Sequence, residues 1–282
     1  MKGKSYLRLM RFHKPVGILL LWLPTAWALW IANQGHPSLE LILLFLCGTV
    51  LMRAAGCVIN DIADRHIDLH VERTQRRPLT SGEVSLIEAF VLLFILLFAA
   101  LMILLQLPKQ CFYYALFAVF IAFLYPFCKR FIQGPQLVLG VAFSMGIPMA
   151  YAASGKVPDS MMFYLLIINF MWIVAYDSQY AMVDREDDLR IGVKSTAILF
   201  ADYDRIIIGI LQIVFHGLWL FLAIRLNNFW PFFYCWLLAA FLLGYQQKLI
   251  AQRQPAQCLQ AFSSNNWYGT LMWLAIILNY LW

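Results

Sequence analysis

Apolar runs of about 20 residues recur along the whole chain, and that recurrence restricts the fold more than any other feature. They fall at roughly 16–33, 40–59, 87–107, 111–128, 134–153, 160–182, 206–224, 229–246 and 266–282. Each is long enough to cross about 30 Å of hydrocarbon as a helix. In lipid, backbone N–H and C=O groups must be satisfied within their own segment, so the runs predict α-helices, and the alternating signature of a membrane β-barrel is absent. A hydrophobic content of 62% exceeds that of a soluble domain. The expectation is an all-α integral membrane protein, a single domain over residues 1–282 with about nine transmembrane helices.

The charges give an orientation. The N-terminus and the loops after the second, fourth, sixth and eighth runs carry 5, 4, 2, 4 and 2 Lys or Arg, a total of 17, against only Lys109, Lys156 and Arg225 on the other side. This positive-inside bias predicts a cytoplasmic N-terminus and, with nine spans, an outer C-terminus. The basic segment MKGKSYLRLMRFHKP is too short for a cleavable presequence, and no small-residue cleavage site follows the first run, which is read as a retained span. That favours a bacterial inner membrane over a mitochondrial one. The net charge of +6 does not indicate nucleic acid, because the basic residues sit in short loops. The six cysteines are scattered without C-x-x-C spacing and read as small core residues. The histidines lack metal-ligand spacing, and the tryptophans near 22, 27, 30, 230, 236, 273 and 282 read mostly as an interfacial belt or lipid-facing bulk.

The outer connections are short (33–37, 108–110, 154–159, 226–228), whereas the cytoplasmic loops 60–86 and 184–205 are long and charged. These two also resemble each other. NDIADRHID leads to arginines and RPLTSGEVS; DREDDLRIG leads to Lys194 and STAIL. Their starts, Asn60 and Asp184, lie 124 residues apart, which suggests a duplicated four-helix unit whose acidic ends face each other across a cavity.

Nine of the 15 acidic residues occupy two windows: Asp61, Asp64, Asp68 and Glu72, then Asp177, Asp184, Glu186, Asp187 and Asp188. At about 100° per residue, Asn60, Asp64 and Asp68 would form one helical stripe, and Asp177, Asp184 and Asp188 another, bordered by Tyr180. Asp177 lies where the sixth run is still apolar, which marks it as a functional candidate. Carboxylates this close repel, and a hard divalent cation relieves them. Mg²⁺ is usually held by one or two carboxylates plus substrate phosphate oxygens, so opposed aspartate pairs suggest two or more Mg²⁺ ions with a diphosphate between them. Lys129, Arg130, Arg73, Arg77 and Lys194 would complete its neutralisation. A single D-x-x-x-D is as well explained by solvated loop charge; two at equivalent helix ends are not. For Asp61, Glu72, Glu83, Glu186 and Asp187 the solvated reading is preferred.

Tyr125 and Lys129, four apart in YPFCKR, read either as interfacial anchors or as groups reaching one phosphate, with Arg130 pairing a substrate carboxylate. Arg53, seven residues before Asn60, reads either as a partner for a local acid or as part of the site. No G-x-S-x-G, Walker loop or G-x-G-x-x-G is present, which leaves hydrolase, ATPase and nicotinamide chemistry without support. A transporter would place charge near the midplane of several helices; here charge gathers at one face.

NDIADRHIDLHVERTQRRPLTSG resembles the N-D-x-x-D-x-x-x-D signature of the UbiA family of intramembrane prenyltransferases. YDSQYAMVDREDDLRIGVKSTAILF is similar to that family's second aspartate signature, YPFCKR to its Y-x-x-x-K, RFHKPVGILLLWLPTAWAL to its first helix and YQQKLI to a late segment. Ser178 stands where threonine is common. The resemblance implies a nine-helix bundle around a central cavity open to the bilayer. It implies Mg²⁺ on Asn60, Asp64 and Asp68 on one side and Asp184 and Asp188 on the other. Lys129, Tyr125 and Lys14 would meet the diphosphate. Arg130 is the first choice for an acceptor carboxylate and Arg53 the second; Arg73, Tyr180, Asp177 and Lys194 complete the site. The implied reaction is polyprenyl transfer from a polyprenyl diphosphate to the ring of 4-hydroxybenzoate, with homogentisate, dihydroxynaphthoate or haem as alternative acceptors and membrane lipid as the setting. No obligate protein partner is implied.

Overall fold

The computed structural model describes residues 2–226 and 229–281; Asn227, Asn228 and Trp282, which bear on the last outer loop and the aromatic belt, lie outside the described residues. The described chain forms α1 (Lys2–Leu9), α2 (Val16–Ala32), α3 (Leu39–Asp64), α4 (Leu86–Leu104), α5 (Lys109–Phe131), α6 (Pro135–Ser144), α7 (Gly146–Ala153) and α8 (Ser160–Ala181), then α9 (Arg185–Ile191), α10 (Thr196–Leu199), α11 (Asp204–Ile224), α12 (Phe229–Leu249) and α13 (Pro255–Leu281), with short 3₁₀ turns between some of them. Among the described residues six segments are long and apolar enough to cross a membrane: α3, α4, α5, α6 with α7, α8, and residues 201–224. That is fewer than the nine apolar runs. At 17 residues, α2 is shorter. The last helix starts at Pro255, eleven residues before the last apolar run, because polar SSNN is carried into the interior, where Ser264 and Asn265 are buried.

Local chemistry fixes the helix ends. Ser38 caps α3 by accepting from the Leu41 N–H, Asp159 caps α8 through the Met162 N–H, and Ser85 with Glu88 forms a reciprocal capping box on α4. The fifth run is broken between α6 and α7. Pro148 has no N–H to donate, and its ring crowds the carbonyl four residues back, at Ser144, where α6 stops. Gly146 at the break lets α7 press on α2: a Cβ there would sit 2.1 Å from Thr25 Oγ1.

The main core lies among α2, α7, α8, α11, α12 and α13. Its centre is aromatic. Trp27 is fully buried, 5.1 Å from Trp172 and 5.0 Å from Trp219 between ring centroids, and donates to Gly269 O at 3.1 Å. Trp172 donates to Asn265 Oδ1 at 2.9 Å. Trp22 and Trp27 are therefore core rather than belt, since their N–H groups or edges find interior partners; Trp230 is exposed as the belt reading expects. Outward faces are apolar instead of polar, with Phe94, Leu116, Phe120 and Ile213 all more than 60% exposed, which suits lipid as the surrounding solvent. A smaller core joins α3 and α4 to Leu9 of α1. The basic N-terminus, which the sequence does not mark as helical, is pinned as α1 by Lys2 and Tyr6 on Glu88 and by Arg8 on Glu83. All six cysteines are free thiols.

Candidate active site

The two acidic segments converge by a route other than continuous helical stripes. The α3 helix ends at Asp64, and Asp68 lies in a separate 3₁₀ turn, Asp68–His70. The α8 helix stops at Ala181, and Asp184 stands at the N-terminal boundary of α9 without a capping hydrogen bond from its side chain. Chain reversals then return these side chains to one place. The α9 helix ends at Gly192, whose left-handed backbone (φ 73°) suits a residue without a Cβ. The following STAIL segment is tied back by a 2.7 Å hydrogen bond between Ser178 and Thr196 hydroxyls and by the Thr196 N–H on Gln136 Oε1. Ser178 thus keeps the hydroxyl that a threonine would supply.

The result is a cavity of 690 Å³ at the end of the bundle where α3, α5 and α8 finish. Asn60, Asp64, Asp68, Asp177, Asp184, Asp188, Arg53, Arg73, Tyr125, Lys129, Tyr180, Lys14 and Lys194 all line it. Arg130 does not. It donates to Ala63 O at 3.1 Å and lies over the Phe127 ring, so its guanidinium is engaged outside the cavity. The α3 and α8 helices pack mainly on different neighbours, α3 on α4, α2 and α5, and α8 on α11, α6 and α13.

Inside the cavity the charges are only partly matched. Lys129 Nζ meets Asp64 Oδ2 at 2.8 Å, while Asp64 Oδ1 and Asn60 Oδ1 are buried oxygens with no hydrogen-bond partner. Arg73 forks onto both oxygens of Asp184 and lies 4.8 Å over the Tyr180 ring. Arg77 binds Asp68 at 2.6 Å. Asp177 and Asp188 carry neither a hydrogen bond nor an ion pair on their carboxylates among the described residues. Burial, reinforced by the Asp184 charge, pushes the Asp188 carboxyl up to about 7. Burial also raises Asp68, against the pull of Arg77. Arg53 reaches the cavity from the middle of α3, 5.9 Å from the Phe143 ring, and makes no direct ion pair among the described residues. Leu20, Leu139, Phe143 and Phe262 add apolar wall.

Asp61 is not solvated. It is 1% exposed and clamped by Arg11 at 2.8 Å and Arg77 at 3.1 Å, so the first acidic segment is anchored from beneath. No sequence signal distinguished Asp61 from its neighbours, because Arg11 is 50 residues away. Glu72, Glu83 and Glu186 are exposed as expected. Asp187 accepts from the Glu72 N–H and from Arg190, and so joins the two loops. Gly17 was also missed. It lies against the Arg53 guanidinium, where a Cβ would sit 2.4 Å from two of its nitrogens.

The donor set suits a hard cation. The buried unpartnered groups that line this cavity are oxygens, of Asn60, Asp64, Tyr176 and Ser195, and among the described residues no three His, Cys, Asp or Glu form a group that could by itself hold a metal ion. Mg²⁺ commonly has that requirement, needing only one or two protein carboxylates beside substrate phosphate.

Known proteins decide the lineage. The profile of the UbiA prenyltransferase family matches residues 21–276. The chain belongs to that family. Similar UbiA-family proteins include a 4-hydroxybenzoate octaprenyltransferase of Legionella pneumophila (strain Corby), 63% identical over 96% of both chains. Another from Coxiella burnetii (strain Dugway 5J108-111) is 50% identical over 98% of this chain and 96% of that one. Solved UbiA homologues share the fold. That of Aeropyrum pernix K1 superposes with a TM-score of 0.75 at 21% identity, covering 92% of this chain and 97% of that one. One from Archaeoglobus fulgidus, bound to DMAPP and Mg²⁺, gives 0.74 at 20% identity over 97% and 99%. The UbiA fold is thus an all-α, multi-span membrane fold around a central cavity.

Proposed function

We propose that the chain transfers a polyprenyl group from a polyprenyl diphosphate to the ring carbon ortho to the hydroxyl of 4-hydroxybenzoate, releasing diphosphate, in ubiquinone biosynthesis. Near full-length similarity to 4-hydroxybenzoate octaprenyltransferases supports the reaction. The observation that carries it in the structure is the pairing of unpartnered oxygens on Asn60 and Asp64 with the unpaired Asp188 across a cavity that also holds Lys129.

Asn60, Asp64 and Asp68 on one side, and Asp184 and Asp188 on the other, would hold Mg²⁺. The bound ions would supply charge neutralisation for the departing diphosphate. The chain's own cations act beside them. Lys129 shifts from Asp64 toward a phosphate oxygen, and Arg73 can exchange Asp184 for phosphate without losing its charge-assisted bonds. Tyr125, Lys14, Lys194 and Tyr180 bind or bound the diphosphate. As the allylic C–O bond breaks, positive charge develops on the prenyl carbon, and the apolar wall excludes water that would quench it. Arg53 takes the carboxylate of the acceptor, because Arg130 is held away from the cavity, whereas Arg53 lines it and makes no direct ion pair among the described residues. That anchors the ring with its hydroxyl toward Asp177 and Asp184. The ortho carbon attacks to form the new C–C bond, and the ring proton passes to the departed diphosphate, which restores aromaticity.

The tail is too long for a closed pocket, which favours a lateral opening to lipid. We read nine crossings, by α2, α3, α4, α5, α6 with α7, α8, α11, α12 and α13, as one domain in a bacterial inner membrane; the positive-inside distribution of Lys and Arg supports an N-terminus and both acidic loops in the cytoplasm and a C-terminus outside. The test is prenyl transfer in detergent with Mg²⁺, a polyprenyl diphosphate and 4-hydroxybenzoate. Asp64→Ala and Asp184→Ala should abolish product. Transfer only to another aromatic would keep the class and replace the acceptor; full activity in either variant would remove the site.

A further inference from the structure

A second hollow, 710 Å³ in volume, lies outside the active cavity between α11 and α12. Its walls are Ile206, Ile210 and Ile213, all more than half exposed, with Leu243 opposite. Two glycines open it. A side chain at Gly244 would meet nothing within 4 Å, and one at Gly209 would only touch Gln247 at 3.5 Å. The groove runs from Arg205 down to His216, eleven residues or about 16 Å of helix. At its deep end His216 stacks on Trp236 at 4.3 Å and bonds the Tyr268 hydroxyl at 3.0 Å through Nδ1, while its Nε2 is buried without a partner among the described residues.

The mouth is charged, and the charges do not cancel. Asp204 is fully buried and is taken up by Arg253 at 2.8 Å and Arg185 at 3.4 Å. Asp202 lies at the rim. Three arginines thus face two acids. Two of the arginines are spent on Asp204, which leaves Arg205 and the exposed Asp202 carboxylate without an ion pair among the described residues; the Arg205 Nε is in addition buried with no acceptor. It sits in the first turn of α11, where the helix dipole also favours an anion. A mostly apolar trough, which Gln212, His216 and Gln247 also line, headed by a cation with a buried unmet donor, matches one membrane component.

We propose that this groove is a binding site for an anionic phospholipid, its phosphate on Arg205 at the mouth and an acyl chain along Ile206, Ile210 and Ile213. The site is separate from the active cavity, so it does not depend on the acceptor or on the metal. One additional cation near a membrane surface is worth about 1 kcal/mol, or about fivefold in affinity.

The test uses the full chain, delipidated in neutral detergent and titrated with phosphatidylglycerol or phosphatidylcholine, with bound lipid counted by native mass spectrometry. Phosphatidylglycerol should bind about fivefold tighter than phosphatidylcholine. Arg205→Gln should remove that preference while Arg205→Lys retains most of it, and Gly244→Phe should remove one bound lipid of either kind by filling the trough. Equal binding of both lipids, or an unchanged preference in Arg205→Gln, would overturn the proposal. So would a second copy of the chain occupying the groove, seen as a dimer that Gly244→Phe disrupts without any change in bound lipid. If Gly244→Phe does not fold, the two Arg205 variants still decide.

Discussion

Adding one methyl group at Gly17 tests the assignment of Arg53 without touching a charged residue. The new Cβ would lie 2.4 Å from both Nε and one terminal nitrogen of Arg53, and 2.6 Å from its Cζ. Ordinary van der Waals contact begins about 1 Å farther out, so the guanidinium must retreat by roughly that much. The side chain is flexible and the helix gains a better helix former, so the fold should survive. A charge-assisted hydrogen bond to a carboxylate contributes about 1.5–3 kcal/mol, and each 1.4 kcal/mol is tenfold. Gly17→Ala should therefore raise KM for 4-hydroxybenzoate about 10- to 100-fold and leave KM for the polyprenyl diphosphate nearly unchanged. Steady-state kinetics with each substrate varied in turn would show it. An unchanged acceptor KM, or an equal rise for both substrates, would refute the reasoning. Arg53→Lys keeps the charge but loses the fork, and should show the same selective loss.

Other outcomes follow from the same geometry. Removing the Arg73 fork with Arg73→Ala should lower kcat at least tenfold, read from initial rates at saturating substrate, because Asp184 and Tyr180 lose their shared partner. Arg130→Ala, whose side chain faces a backbone carbonyl and Phe127, should change the acceptor KM by less than threefold. Mg²⁺ binding should be pH-dependent. With its carboxyl at about 7, Asp188 holds a proton below that pH and must lose it to meet a cation, so affinity should fall about tenfold from pH 8 to pH 6, and less in Asp188→Asn, by calorimetry. Asp204→Ala strands Arg185 and Arg253 beside a buried site and should cost about 2–3 kcal/mol, less than for a fully buried pair because Arg253 is partly exposed, visible as a lower Tm in detergent.

The long helices were readable because a bilayer demands an unbroken apolar run, and those runs are unusually explicit here. Interior detail was less so. Trp22 and Trp27 look like Trp230 in a hydropathy pattern, yet they face inward, since lipid and protein core are equally apolar and periodicity cannot separate them. The run 134–153 reads as one span, yet the helix breaks after Ser144, four residues before Pro148; proline alone does not announce such a break, since Pro24 and Pro126 are carried within α2 and α5. Residue types and spacing marked Asn60, Asp64, Asp184 and Asp188, which line one cavity, but that Arg53 lines it and Arg130 does not depends on side-chain direction, which spacing does not carry. The burial of Asp61 depended on Arg11, brought in by a helix that the basic N-terminus did not announce. A short glycine contact such as Gly17 on Arg53 leaves no pattern in a single sequence.

The central claim is that two opposed oxygen clusters hold a diphosphate through divalent ions. Mn²⁺ binding, counted by electron paramagnetic resonance with and without a non-hydrolysable prenyl diphosphate analogue, tests it most directly. The account predicts weak binding without the analogue, two or more bound ions with it, and loss of at least one ion in both Asp64→Ala and Asp184→Ala. Unchanged ion counts in both variants would contradict it.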